Sequence, residues 1–443
     1  SKKHDHISQL APTPPRGWNS WNSFGFEVTE QEVKKVADYM ADSLLEYGWE
    51  YLVIDMGWQY PPELKTKYMH ITDPQHNIDN YGRLLPDTIK FPSAANGKGF
   101  KPIADYIHSK GLKFGIHIMR GIPWDAVDKK MPVKGGQRTA YEIADTNSVC
   151  EWNKSMIGLN FKYPEAQQYY NSIFELYAKW GVDFVKVDDV AREFHKNDIK
   201  AVNVAMQNCG REMIISLSPG PAKVKHARFF AKNSNMWRIS NDFWDHWKFV
   251  VKQIEYCRAW YPYIEVGHWP DCDMLVFGKL RKTGADSWVA SLLEDSFEKV
   301  KDEYTRFTKD EQITVMSLWS IFRSPLMFGG YIPENDRFTN FMLTNREVLE
   351  INSYSKNVRE IKNDDKSSTW LSESLDGSEK YLLVINLKDY LPQNFSIHWD
   401  DLGIEGNYKV RDLWKKEGIY KSDSGFTVSI PPHGCGFYKI SPN

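Results

Sequence analysis

The chain has 443 residues, 42% of them hydrophobic and 26% charged, the profile of a folded globular protein rather than a disordered or collagen-like one. Its 56 Lys and Arg nearly cancel its 58 Asp and Glu, leaving a formal charge of −2, which speaks against a nucleic-acid binder with a basic stripe. No apolar run reaches the ~18 residues of a membrane span, and no HExxH, Gly-rich phosphate loop or GxSxG elbow occurs.

From about Gly17 to Gly330, short apolar β-rich segments alternate with helical patterns. The expected strands are Gly17–Trp21, Tyr51–Gly57, Lys113–Ile118, Asp183–Asp189, Met213–Ser218, Met236–Ser240 and Tyr263–Trp269, with Ser324–Phe328 as an eighth. Strand–helix alternation implies a parallel sheet, and eight units imply a closed (β/α)8 TIM barrel. Thr29 to Glu32 reads as a capping box. Val33, Val36, Ala37, Met40 and Leu44 then fall at helical spacing, and Gly48 stops the helix. A second unit is the apolar helical stretch Pro164–Trp180, followed by Gly181 and the run Val182–Asp189.

Character changes after about Asn335. Segments Lys380–Leu387, Tyr408–Trp414, Gly425–Ile430 and Cys435–Ile440 lie between Gly, Pro, Asn and Asp turns. They predict a small antiparallel β-sandwich of roughly 100 residues. The expected division is a catalytic barrel over residues 1–335 and a C-terminal β-sandwich over 336–443, docked together without a long linker.

The five cysteines, Cys150, Cys209, Cys257, Cys272 and Cys435, form no CxxC pair. Neither structural zinc nor a redox motif is expected, and at most one or two disulfides can form. The polar start, Ser1 to His6, fits the stub of a removed targeting segment, and the expectation is an exported protein, periplasmic or extracellular. Aromatic residues make up 14% of the chain, with 17 Trp. Most belong in a core; some suit a sugar site, where a ring stacks on the apolar face of a pyranose.

In such barrels the chemistry sits at the C-terminal ends of the strands, and three strands end in carboxylates. In Phe184–Asp189, alternation puts Lys186 and Asp188 on one face and Val185, Val187 and Asp189 on the other. A lysine beside Asp188 favours its ionised form; the structural alternative is a barrel-lining ion pair. In Met236–Asp242, Arg238, Ser240 and Asp242 share a parity if the strand continues. The alternative there is that Asp242 caps a helix over Phe243–Tyr256. Asp55 ends the apolar strand from Tyr51 and is able to accept two hydroxyl hydrogen bonds from a sugar; the alternative is a loop anchor. Two inward carboxylates under an aromatic rim suggest glycoside hydrolysis, whose retaining form needs them about 5–5.5 Å apart. His117 ends its own strand with no second His at ligand spacing, so a hydrogen-bonding role is expected rather than a metal site.

Several motifs together resemble glycoside hydrolase family 27, the α-galactosidase and α-N-acetylgalactosaminidase group, from Pro15 to about Ile440. They are Gly17-Trp18-Asn19-Ser20-Trp21; Gly48-Trp49-Glu50-Tyr51 leading to Ile54-Asp55; His108 through Ile116; Trp180-Gly181-Val182-Asp183 leading to Lys186-Val187-Asp188; Trp237-Arg238 leading to Asp242; and Pro270-Asp271-Cys272-Asp273-Met274-Leu275. Ser317-Leu318-Trp319 with Ser324-Pro325-Leu326 resembles the last barrel unit. The resemblance implies a retaining, exo-acting glycosidase without cofactor or metal, acting on oligosaccharides or polysaccharide side chains. It assigns Asp188 as nucleophile and Asp242 as acid/base, and sugar contacts to Trp21, Asp55, Lys186 and Arg238.

Departures bear on the substrate. Relatives usually carry a second Asp after the position of Asp55, touching the galactose 4- and 6-hydroxyls; here it is Met56, a poor acceptor that prefers apolar neighbours. This points to a sugar differing at C5, such as β-L-arabinopyranose, which is α-D-galactopyranose without its CH2OH. Ser216-Leu217-Ser218-Pro219-Gly220 replaces the family's Ser-Cys-x-Trp-Pro segment, and the disulfide between that Cys and a partner after Asp188 (here Val190) is missing. Ser218 is small enough to admit a 2-acetamido group, and His117 stands where Tyr is frequent. The leading expectation is an α-D-galactosidase, with β-L-arabinopyranosidase or α-N-acetylgalactosaminidase as alternatives. A non-catalytic carbohydrate-binding barrel is the alternative of another class.

Overall fold

A computed structural model describes residues 2–62, 77–280 and 303–443. Eight parallel strands form its central sheet: β1 Arg16–Asn19, β2 Tyr51–Ile54, β3 Lys113–Met119, β4 Phe184–Asp188, β5 Ile214–Leu217, β6 Met236–Arg238, β7 Trp269–Asp271 and β8 Leu326–Phe328. Their order is β7-β6-β5-β4-β3-β2-β1-β8. A parallel bridge from Leu275 to Phe328 joins the two ends, so the sheet curls into a (β/α)8 barrel. Helices follow the strands, among them α1 Glu30–Ser43, α2 Pro164–Trp180, α3 Trp247–Trp260 and α4 Lys309–Phe322. No helix among the described residues is long and apolar enough to cross a membrane.

Local sequence explains most boundaries. The Thr29 side chain accepts from the Glu32 N–H at the start of α1, and the chain reverses at Gly48 with φ +86° after a short 3-10 turn. Helix α2 occupies Pro164–Trp180, closed by Gly181 at φ +86°, the left-handed conformation glycine adopts without a Cβ clash. At Gly17 a Cβ would lie 2.1 Å from the Tyr51 carbonyl oxygen, so only glycine lets β1 and β2 approach so closely.

Two segments differ from expectation. The seventh strand is Trp269–Asp271 and not Tyr263–Trp269, because Tyr261–Tyr263 forms a 3-10 turn around Pro262. The helix after β6 is Trp247–Trp260 and not Phe243–Tyr256; His246, not Asp242, accepts the capping hydrogen bond, from the Lys248 N–H.

Alternation along the strands divides the barrel wall. Leu52, Ile54, Val185, Val187, Ile215, Leu217 and Trp237 join the large core shared with the helices. Tyr51, Val53, Phe184, Ile214, Met236 and Trp269 form a separate apolar cluster. Each such buried aliphatic or Phe side chain contributes roughly 1.5–3 kcal/mol. One or two positions further along this second parity come Asp55, His117, Lys186, Asp188 and Arg238. The interior thus changes from an apolar plug to a charged layer toward the strand C-termini.

After two helices, Arg337–Leu343 and Arg346–Tyr354, the chain forms a C-terminal antiparallel domain. A six-stranded sheet and the pair Gln393–His398 with Gly425–Ile430 enclose Leu382, Val384, Trp399, Val410, Phe426 and Tyr438. The other face of the large sheet, with Trp370, Leu383, Ile385 and Phe437, joins the barrel core. Trp414 donates to Ser317 of α4 at 2.8 Å. All five cysteines are free thiols; Cys257 and Cys272 lie with sulfurs 3.5 Å apart.

Candidate active site

The charged layer opens into a cavity of about 230 Å3. That is below the about 300–1,000 Å3 of drug-sized pockets and suits a single sugar ring. Trp21, Asp55, Met56, Lys186, Asp188, Arg238 and Asp242 all line it. Asp188, at the end of β4, and Asp242, in the segment after β6, therefore face one hollow.

The β1 motif builds the first wall. Asn19 donates to Asp55 at 2.8 Å and accepts from the Trp21 N–H at 2.8 Å. The Ser20 hydroxyl accepts from the Asp55 N–H at 2.8 Å. Lys186 reaches the same Asp55 oxygen at 2.8 Å. Burial pushes the Asp55 carboxyl up, but the Lys186 ammonium and the His117 ring more than offset it and hold it well below the usual carboxylate range. Burial disfavours the Lys186 cation, yet Asp55 and then Asp188 hold its pKa above the ordinary value. The pair is ionised on both sides.

Asp188 ends β4. Its Oδ2 lies 2.8 Å from His117 Nε2, and its Oδ1 accepts from the Asp189 N–H at 3.0 Å. Burial again opposes ionisation; the His117 hydrogen bond and Lys186 outweigh it, and the Asp188 carboxyl lies below its usual value. Trp58 donates to the His117 carbonyl at 2.7 Å. Asp189 turns outward to Arg120 at 3.0 Å, on the opposite parity as the alternation required.

Arg238 ends β6, and the chain then leaves the strand. A terminal guanidinium nitrogen donates to Asp242 at 3.0 Å and lies 3.0 Å from Asp273. Burial lowers the Arg238 pKa, but Asp273 and Asp242 raise it further and keep the cation charged. The Asp242 side chain is 33% exposed against 12% for Asp188, so Asp242 is the more solvent-accessible of the two carboxyls.

Of the nine residues singled out from the sequence, His117 and Ser218 do not line the cavity. His117 is buried behind Asp188, and the Ser218 hydroxyl is buried with no hydrogen-bond partner among the described residues; Pro219 takes its place in the wall. Trp152, Arg192, Asn241 and Met274 also line the cavity. Met274 belongs to the Pro270–Leu275 motif. Trp152, Arg192 and Asn241 come from loops whose sequence carries no periodic signal.

The family model described as "Alpha galactosidase A" matches residues 13–162 and 157–289. The model described as "Alpha galactosidase C-terminal beta sandwich domain" matches 364–440. The chain belongs to glycoside hydrolase family 27. As a family 27 glycoside hydrolase it is 25% identical to a rice alpha-galactosidase over 98% of this chain and 86% of that one. It is 44% identical to a family 27 β-L-arabinopyranosidase from Geobacillus stearothermophilus, with TM-score 0.92 and 99% and 98% of the two chains covered. A putative α-N-acetylgalactosaminidase from Bacillus halodurans is 45% identical, with TM-score 0.85 and 97% of each chain covered.

Proposed function

We propose that this family 27 enzyme is a retaining exo-glycosidase that removes terminal β-L-arabinopyranosyl residues. The observation that carries the sugar choice is Met56. Its thioether lines the cavity beside Asp55, and Asn153 donates to its sulfur at 3.7 Å. A wall of this kind offers no acceptor to a hydroxymethyl group at C5, and a pentopyranose needs none. The Geobacillus β-L-arabinopyranosidase, at 43–44% identity, supports this choice over the α-D-galactosidase expectation, whose curated relatives are 24–26% identical.

In the proposed reaction the Asp188 carboxylate attacks the anomeric carbon while the Asp242 carboxyl gives its proton to the departing glycosidic oxygen. The bond to that oxygen breaks as the ester to Asp188 forms. Asp242, now a carboxylate, takes a proton from water, whose oxygen attacks the anomeric carbon and releases Asp188 with net retention. Lys186 and His117 keep Asp188 anionic, as a nucleophile requires. Asp55 accepts sugar hydroxyls and Trp21 stacks on the ring.

Nitrophenol release from 4-nitrophenyl β-L-arabinopyranoside, α-D-galactopyranoside and N-acetyl-α-D-galactosaminide tests the reading. The highest kcat/KM is expected on the arabinopyranoside. A higher value on the galactoside restores the α-D-galactosidase reading, and turnover of none defeats both.

A further inference from the structure

We propose that Arg192 and Asn241 form the leaving-group subsite of this cavity, and that the group they hold is a second sugar with free hydroxyls. The inference rests on the reading that Asp242 is the proton donor. Whatever lies beside Asp242 on the solvent side then touches the departing group.

Asn241 immediately precedes Asp242, is exposed and lines the cavity. Its side-chain oxygen accepts from the Asp242 N–H at 2.9 Å and from Arg192 at 3.3 Å. Arg192 comes from the other side, on the loop after Asp188, where Asp189 turns the chain at φ +63°. The same Arg192 nitrogen donates to the Gly220 carbonyl at 3.3 Å. The pair thus spans the mouth from the strand carrying Asp188 to the segment carrying Asp242.

Both Arg192 bonds are longer than the ~2.9–3.0 Å typical of N–H···O, and both use one nitrogen. A guanidinium has five N–H donors; the other terminal nitrogen and Nε make no hydrogen bond among the described residues, and neither does the Asn241 amide nitrogen. Donors at the mouth match the hydroxyl oxygens of a sugar. An aryl group offers them no hydroxyl oxygen.

The test compares two substrates sharing one terminal sugar: 4-nitrophenyl β-L-arabinopyranoside and β-L-arabinopyranosyl-(1→6)-D-galactose. Arg192→Ala is expected to lower kcat/KM on the disaccharide at least about tenfold more than on the nitrophenyl glycoside, the scale of a charged hydrogen bond, and Asn241→Ala about threefold more, the scale of a neutral one. Transfer from the nitrophenyl donor to added D-galactose is expected to fall in parallel. Equal losses on both substrates assign the pair to holding Asp242 and overturn the subsite, as does an unchanged disaccharide rate. If the wild type prefers the galactoside, the glycone reading fails by itself. The same comparison with 4-nitrophenyl α-D-galactopyranoside and melibiose still decides the subsite.

Discussion

Arg238 and Asp273 form a buried ion pair 3.0 Å apart, with side chains 3% and 5% exposed. The same Arg238 nitrogen donates to Asp242. Asp273 also accepts from the Phe243 N–H at 2.8 Å, so it ties the arginine to the segment that carries Asp242.

Asp273 is therefore a positioning residue. Asp273→Ala leaves the buried cation without one of its two carboxylates and should cost about 3–5 kcal/mol of stability. It should also lower kcat on the order of 10²-fold by displacing Asp242, with little change in KM. Asp273→Asn, which keeps an acceptor for Phe243, should recover part of kcat. Wild-type kcat in a folded Asp273→Ala enzyme, read by steady-state kinetics beside denaturant melts, removes this role.

Asp188→Ala should abolish turnover by on the order of 10⁴-fold or more, the scale of losing an essential catalytic residue. Near-wild-type nitrophenol release from this variant ends the assignment.

Asp242→Ala should hurt most on substrates with poor leaving groups, since these need the proton most. Azide should restore part of the rate by replacing water in the second step and yield a glycosyl azide. Uniform loss across leaving groups without rescue argues against an acid/base role.

Met56→Asp places a carboxylate where Asn153 already donates, since Asn153 Nδ2 lies 3.7 Å from the Met56 sulfur. The kcat/KM ratio of α-D-galactopyranoside to β-L-arabinopyranoside should rise by about tenfold or more. A ratio that stays put on the nitrophenyl pair means that Met56 does not set the sugar.

The depressed Asp55 pKa links to stability. A carboxyl lowered in the folded state contributes stability that is present above its unfolded value and lost as pH falls through the folded one. The unfolding free energy should therefore decline as pH drops below the ordinary value of 3.8. Asp55→Asn should be less stable near neutrality and decline less steeply. Urea melts at pH 7, 4 and 3 measure both slopes; parallel slopes would falsify the linkage.

Much of this molecule was legible in one dimension. Eight apolar segments between helical patterns announced the barrel, because each strand is buried on both faces and its residue types show it. Parity placed Lys186 and Asp188 together, because a strand has a period of two. Family motifs located Trp21, Asp55, Arg238 and Asp242. The C-terminal strands Ser355–Asn363, Ser367–Ser374, Gln393–His398 and Glu417–Ser422 are not legible in the sequence, because their Ser, Asn, Lys and Glu residues resemble a loop's whether they face solvent or, as in Ser367–Ser374, are buried. Tertiary structure alone decided the rest. Only the closed barrel shows that Asp188 and Asp242 share a hollow, that His117 stands behind Asp188, and that Ser218 yields its place to Pro219. Only folding brings Trp152, Arg192 and Asn241 to the cavity, since loops have no periodicity that aims a side chain. Alternation along a strand says which way a residue points, whereas the curvature of the whole sheet decides what it meets.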